Sequence, residues 1–184
     1  MIIEREWAMP NKNTFSIPPI KELIQQELVN GTIIDPFANN SRIAKITNDI
    51  DPQYDTDYNL EALDFLKLFD TESVDMVLFD PPYTPRQLSE VYKSLGRSVN
   101  METTQISYWS NLKDEISRVV KPGGKVVSCG WNSAGVGKNR GFQIKRILMV
   151  NHGSMHNDTI VVVDEKLQCR LTSFSKSKRM DVDG

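Results

Sequence analysis

Residues 78–85, "LFDPPYTP", place a carboxylate, two prolines and a tyrosine directly after an apolar run. Ionised Asp80 is acceptor-only, and a neighbouring backbone carbonyl, that of Pro81, supplies a second acceptor. Pro81 and Pro82 have no N–H and a fixed φ, so the turn is stiff and offers no competing donor at those two positions. Tyr83 adds a ring able to stack. Two acceptors on a rigid frame suit an amine whose hydrogens must be drawn into one geometry. Asp35 in "GTIIDPFA", and Asp49 and Asp51 in "AKITNDIDP", follow apolar runs of the same kind.

Acids in that setting need strands to place them. "GTIIDPFA", "AKITNDIDP", "VDMVLFDPPY" and "GKVVSCGWN" are short β-branched runs that end in polar residues, and runs apolar on both faces point to a buried parallel sheet. Between them, "SIPPIKELIQQELV" puts Ile20, Leu23, Ile24 and Leu28 on one side of a helix that opens with Ser16 and Pro18. A second helix is expected over "TTQISYWSNLKDEISRVVKPGG", stopping at Pro122 and the glycine pair. "FQIKRILMV" and "TIVVVDEKL", joined by the turn "NHGSMHND", read as an antiparallel hairpin. This order predicts an α/β fold: a doubly wound, mostly parallel sheet with a C-terminal antiparallel β-hairpin. Ligands in such sheets sit at the carboxyl ends of the strands near the topological switch point, where Asp35, Asp49 and Asp80 all fall.

The bulk properties fit one soluble domain over residues 1–175, with 176–184 as a disordered tail. The 184 residues are 39% hydrophobic and 25% charged, and no apolar stretch approaches the roughly 18 residues of a membrane span. The N-terminus has no apolar signal core, so a cytoplasmic location is expected. Cys129 and Cys169 lack the spacing of a disulfide framework or a zinc ribbon. A net charge of -2 gives no global signature of nucleic-acid binding.

The chain resembles the class I S-adenosylmethionine-dependent amino-methyltransferases that methylate N6 of adenine in DNA. The resemblance rests on "DPPY" at 80–83, "DPF" at 35–37, their strand contexts and their order, and the chain is also similar to short proteins of this type encoded by phages and mobile elements. It implies a seven-stranded Rossmann-like sheet, S-adenosylmethionine as methyl donor, and a catalytic turn of Asp80, Pro81, Pro82 and Tyr83. A purine amine is a poor nucleophile because its lone pair is delocalised; the two acceptors free that lone pair, and Tyr83 stacks on a base taken out of its helix. "TFSIPPI" at 14–20 resembles the family's N-terminal cofactor segment and brings in Phe15, Ser16 and Ile17. Asp35, with Pro36, Phe37 and Ala38, is implied at the methionine end of the donor. Asp49, followed by Ile50, is placed at the ribose hydroxyls, with Asp51 as second choice, and "LEALDFL" brings Glu61 and Ala62 towards the donor's adenine.

Three departures and additions complete the reading. Where the family commonly has a glycine-rich turn after "DPF", this chain has "DPFANNSR", with Asn39 and Asn40 as residues tolerant of positive φ. Residues 129–142, "CGWNSAGVGKNRGF", are read as a lid presenting Trp131, Asn132, Lys138 and Arg140 to substrate, with Arg86 as a further substrate contact; the alternative is a crossover to the hairpin. His152 and His156 are assigned to a polar turn, and Trp7 and Trp109 to packing. No target-recognition region is visible, so dimerisation, a partner subunit or weak specificity is expected to compensate. DNA is the expected partner; a guanine amine in ribosomal RNA, or a non-catalytic donor-binding subunit, are the alternatives.

Overall fold

The computed structural model describes residues 1–96, 106–153 and 156–168. The expected tail, Cys169 and the first residues of the second predicted helix lie outside them. Strand β1 (Ile2–Trp7) is followed by a single 3-10 turn (Thr14–Ser16) and helix α1 (Pro18–Glu27). Then come β2 (Ile33–Asp35), β3 (Ile46–Thr47), α2 (Ala62–Lys67), β4 (Val74–Phe79), α3 (Pro85–Ser94), α4 (Ile106–Val119) and β5 (Val120–Gly130). The chain closes with β6 (Phe142–Asn151) and β7 (Thr159–Lys166).

Seven strands form one sheet in the order β1-β6-β7-β5-β4-β2-β3. β7 is antiparallel to both β5 and β6, and every other pairing is parallel. This is the expected doubly wound sheet with its antiparallel hairpin. The chain runs outward from β2 to β3 and returns past β2 to β4, so the switch point lies between β2 and β4. Asp35 ends β2, and Asp80 directly follows β4.

Both faces of the sheet are covered, as the apolar runs require. On one face, Ile20, Leu23 and Ile24 of α1 pack over Met76, Leu78, Val127 and Cys129. On the other, Phe65 and Leu66 of α2 and Leu112 and Ile116 of α4 pack over Ile34, Val77, Phe79 and Val126. The α1 cluster thus anchors the segment that leads from residue 10 to residue 17 along the switch-point edge.

Strand β1, helix α3 and the end of α4 differ from the expectation. Strand β1 pairs in parallel with β6 from Ile2↔Arg146 to Trp7↔Asn151, although the sequence reading assigned no strand there. Trp7, expected in packing, ends this edge strand 64% exposed. α4 also stops at Val119 rather than at Pro122, and "VKPGG" belongs to β5, with a register shift against β4 between Val74 and Met76. That irregularity reverses the side-chain alternation, so Val74 packs on the α2 and α4 side while Met76 faces α1.

Candidate active site at the switch point

A cleft of about 1170 Å³ opens along the carboxyl edge of β2, β3 and β4. Its walls come from the 11–17 segment, the turn after β2, the turn after β3, the start of α2, and the turn 80–83 with the neighbouring face of α3. Phe15, Ser16 and Ile17, then Pro36, Phe37 and Ala38, then Asp49 and Ile50, and Glu61 and Ala62 all line it. Asp80, Pro81, Pro82, Tyr83 and Trp131 line it as well. Residues far apart in sequence are thus brought together by the end points of consecutive parallel strands.

The turn after β2 is built by side chains rather than by glycine. Asn39 takes φ 51, the left-handed conformation a glycine-rich turn would supply, and Asp49 Oδ2 accepts its N–H at 2.9 Å. Asp49 Oδ1 accepts from Asp51 N–H at 2.9 Å, so Asp49 rather than Asp51 organises both turns. Buried Asn48 completes the frame: its amide donates to the carbonyls of Pro36 and Leu60 at 3.1 and 3.0 Å and accepts from Leu60 N–H at 2.9 Å. The sequence reading passed over Asn48 because a neutral amide beside two acids carries no chemical signal by itself.

Asp35 is fully buried behind this turn. Phe37 N–H donates to its Oδ1 at 3.0 Å, while Oδ2 is buried without a partner. Burial, with the nearby Asp80 and Asp49 carboxylates, pushes its carboxyl well above the usual range. Asp49 and Asp80 are also raised, chiefly by desolvation. Three crowded acids, one with an orphaned oxygen, make a site suited to a cationic ligand.

Asp80 lies half-buried at the mouth of the turn. Tyr83 donates its hydroxyl to Asp80 Oδ1 at 2.6 Å, and Thr14 bonds the same carboxylate from the 3-10 turn. Burial and Asp80 together hold the Tyr83 hydroxyl far above its ordinary pKa, so it stays protonated. The Tyr83 ring meets Trp131 edge-on at 5.6 Å, and Trp131 is 42% exposed. A planar ring entering beside this pair would find one aromatic edge and one open indole.

The sequence reading missed several other groups that line the cleft or support its walls. Trp109, expected only in packing, donates Nε1–H to the Pro82 carbonyl at 2.9 Å. Tyr92 of α3 donates to Glu61 Oε2 at 2.5 Å, which ties the start of α2 to α3. His152 is buried with its ring nitrogens 2.8 Å from Ala8 O and 2.8 Å from Thr159 Oγ1, and both histidines line the cleft. Since a carbonyl only accepts, Nδ1 carries the proton that bonds Ala8. Among the described residues no three His, Cys, Asp or Glu side chains gather as a metal-binding group.

Four residues expected to contact substrate, Arg86, Asn132, Lys138 and Arg140, do not line the cleft. Arg86 pairs with Glu90 at 2.9 Å, one turn along α3, on a side chain 88% exposed. Arg140 binds Asp114 at 2.6 Å and donates to Ser110 Oγ and the Val136 carbonyl, so it clamps the loop to α4. Lys138 is exposed in a short 3-10 turn away from the cleft, and Asn132 accepts from Ala134 N–H at 3.0 Å. These bonds tie the Arg140 end of the loop to α4, while Trp131 at its start lines the cleft. Val136 N–H donates to Asp164 at 2.8 Å, and Gly135, at φ 56, has no room for a Cβ, which would fall 2.1 Å from Asp164 Oδ2.

No family model and no curated protein matches the chain. Its fold is that of the class I, Rossmann-like methyltransferases. It resembles 1,6-didemethyltoxoflavin-N1-methyltransferase of Burkholderia thailandensis, solved with 1,6-didemethyltoxoflavin and S-adenosylhomocysteine, at TM-score 0.54 and 10% identity, over 82% of this chain and 77% of that one. It also resembles an S-adenosylmethionine-dependent methyltransferase of Methanosarcina mazei (TM-score 0.51, 13% identity, 79% and 97% covered). A third likeness is to TrmN of Thermus thermophilus (TM-score 0.51, 18% identity, 82% and 49% covered).

Proposed function

We propose that the protein transfers a methyl group from S-adenosylmethionine to an exocyclic amine, N6 of adenine in DNA. The observation that carries this reading is the placement of Asp80 and Pro81 at the mouth of a cleft whose far end is walled by the turns of Asp35 and Asp49. The donor is a cation at its sulfonium and its ammonium, and the crowded acids with the unpaired Asp35 Oδ2 suit that charge. Asp49 and Ile50 would take the ribose, and Glu61 and Ala62 the adenine side.

The nitrogen lone pair forms the new N–C bond as the C–S bond breaks with its electron pair passing to sulfur, and one amine proton leaves towards Asp80. Asp80 and the Pro81 carbonyl hold the two amine hydrogens, which localises the lone pair along the line of attack. Tyr83 and Trp131 receive the base. The glycine-poor turn after β2 is no obstacle, because Asn39 already adopts the backbone that glycine would provide. A second copy or a partner subunit supplies target recognition.

The test is mass spectrometry of N6-methyladenine in DNA from cells expressing the protein or Asp80→Ala. The expected result is modified adenine with the first and none with the second, while Asp80→Ala still binds donor by calorimetry. Unmodified DNA beside methylated ribosomal RNA would overturn the DNA assignment.

A further inference from the structure

The turn 80–83 carries more polar groups than an amine needs. The Tyr83 N–H donates to Gln87 Oε1 at 2.7 Å. The Pro82 carbonyl accepts the Trp109 indole N–H at 2.9 Å. Neither proline has an N–H. Among the described residues the Pro81 carbonyl accepts from nothing, and Pro81 lines the cleft beside Asp80.

The two groups that engage the turn come from the helices on either side of it. Gln87 lies in the first turn of α3, where Thr84 Oγ1 accepts its N–H at 3.2 Å and Pro85 opens the helix. Trp109 lies in α4, which is fixed to the sheet through buried Leu112 and Ile116, and its ring rests edge-on against Tyr108 at 5.3 Å. Both partners are therefore held before any ligand arrives.

We propose that Trp109 and Gln87 are positioning residues for methyl transfer. Trp109 occupies the Pro82 carbonyl, an acceptor that would otherwise compete for the amine, and Gln87 occupies the Tyr83 N–H, a donor that would otherwise be free to bond the acceptors, so the Asp80 carboxylate and the Pro81 carbonyl are left to the amine. With Trp109 lacking its donor, the Pro82 carbonyl becomes a third acceptor close to the other two. An amine shared among three acceptors spends part of its bound time with the lone pair off the line of attack, which lowers the rate rather than the affinity. The inference rests on reading the site as an amino-methyltransferase.

Steady-state kinetics on Trp109→Phe, Gln87→Leu and Gln87→Glu test it, with S-adenosylhomocysteine titration and melting temperature measured on each. Phenylalanine keeps a ring against Tyr108 and loses only the donor. The expected result is a fall in kcat of about tenfold for Trp109→Phe and for Gln87→Leu, with KM for donor within about twofold. Gln87→Glu, which keeps an acceptor opposite the Tyr83 N–H, recovers most of the rate lost in Gln87→Leu. An unchanged kcat in Trp109→Phe, or a fall matched by equal losses of donor affinity and melting temperature, would overturn the proposal. Wild-type protein that transfers no methyl group would instead overturn the reading of the site on which it rests.

Discussion

The Tyr83 hydroxyl donates to Asp80 Oδ1 at 2.6 Å, so the turn that carries the acceptor also carries a group that occupies it. Burial raises the Asp80 carboxyl above 3.8, and the bonds from Tyr83 and Thr14 pull it back down. A protonated Asp80 is no longer acceptor-only, so on the proposed reading methyl transfer should fall as pH drops through its raised pKa.

Tyr83→Phe removes one of the two bonds that favour ionised Asp80. The expected outcome is an acid limb of the pH–rate profile displaced to higher pH, with the alkaline plateau retained. Single-turnover rates across the acid-to-neutral range measure it, and an unmoved acid limb would mean that another group controls the profile.

Asp35 makes a prediction about binding and stability with opposite signs. Its folded-state pKa lies well above its unfolded value, so the penalty for burying its charge is present at high pH and is relieved as pH falls through the folded pKa. A cationic donor needs the ionised form. Affinity for S-adenosylmethionine should therefore rise with pH across that titration, and binding from the protonated state should release a proton. Calorimetry in buffers of different ionisation enthalpy counts that proton. Asp35→Asn should weaken binding about tenfold or more and, in the ligand-free protein at alkaline pH, raise the melting temperature.

Much of this site is visible in the sequence because strand ends and acids are local signals. "IIDPF", "ITND" and "VLFDPPY" each mark an apolar run and the polar residue that follows it, and β2, β3 and β4 end there. The β6 and β7 hairpin was equally legible. Strand β1 was not, because it is exposed along nearly all its length and is held by a ladder to residues 146–151, which no local period encodes. Helix α3 was also passed over, although Thr84, Pro85 and Gln87 form a helix-start signature in which Thr84 caps Gln87 N–H. Arg140 and Lys138 were read as substrate contacts from the composition of their loop and its place after a strand. Composition does not reveal that Asp114 and Ser110 of α4 already hold Arg140.

Asp75 predicts acid sensitivity away from the cleft. Its carboxylate accepts from Thr32 N–H at 2.8 Å and from Lys121 Nζ at 2.8 Å, fastening the start of β2 to β4 and β5 beneath the switch point. The Lys121 and Thr32 bonds hold its pKa below the ordinary value. A depressed acid contributes stability that is present above its unfolded pKa and is lost as pH falls through the folded one. Asp75→Ala should cost about 1–2 kcal/mol at neutral pH and less in strong acid, as read from urea denaturation at both pH values.

Trp131 and Arg140 share one loop and should fail in different assays. Trp131 is open at the cleft beside Tyr83, and stacking of a base on an aromatic ring is worth about 1–3 kcal/mol. With DNA as the proposed substrate, Trp131→Ala should therefore raise its KM by about tenfold while donor affinity holds. The Arg140 side chain is 17% exposed and ion-paired with Asp114, so Arg140→Ala should cost about 2 kcal/mol of stability. It should leave the salt dependence of binding to the proposed DNA substrate unchanged, since the Arg140 guanidinium is already paired within the fold. Fluorescence anisotropy over a salt series, beside denaturation of the same variants, separates the two. A shallower salt slope in Arg140→Ala would return Arg140 to the substrate-binding surface.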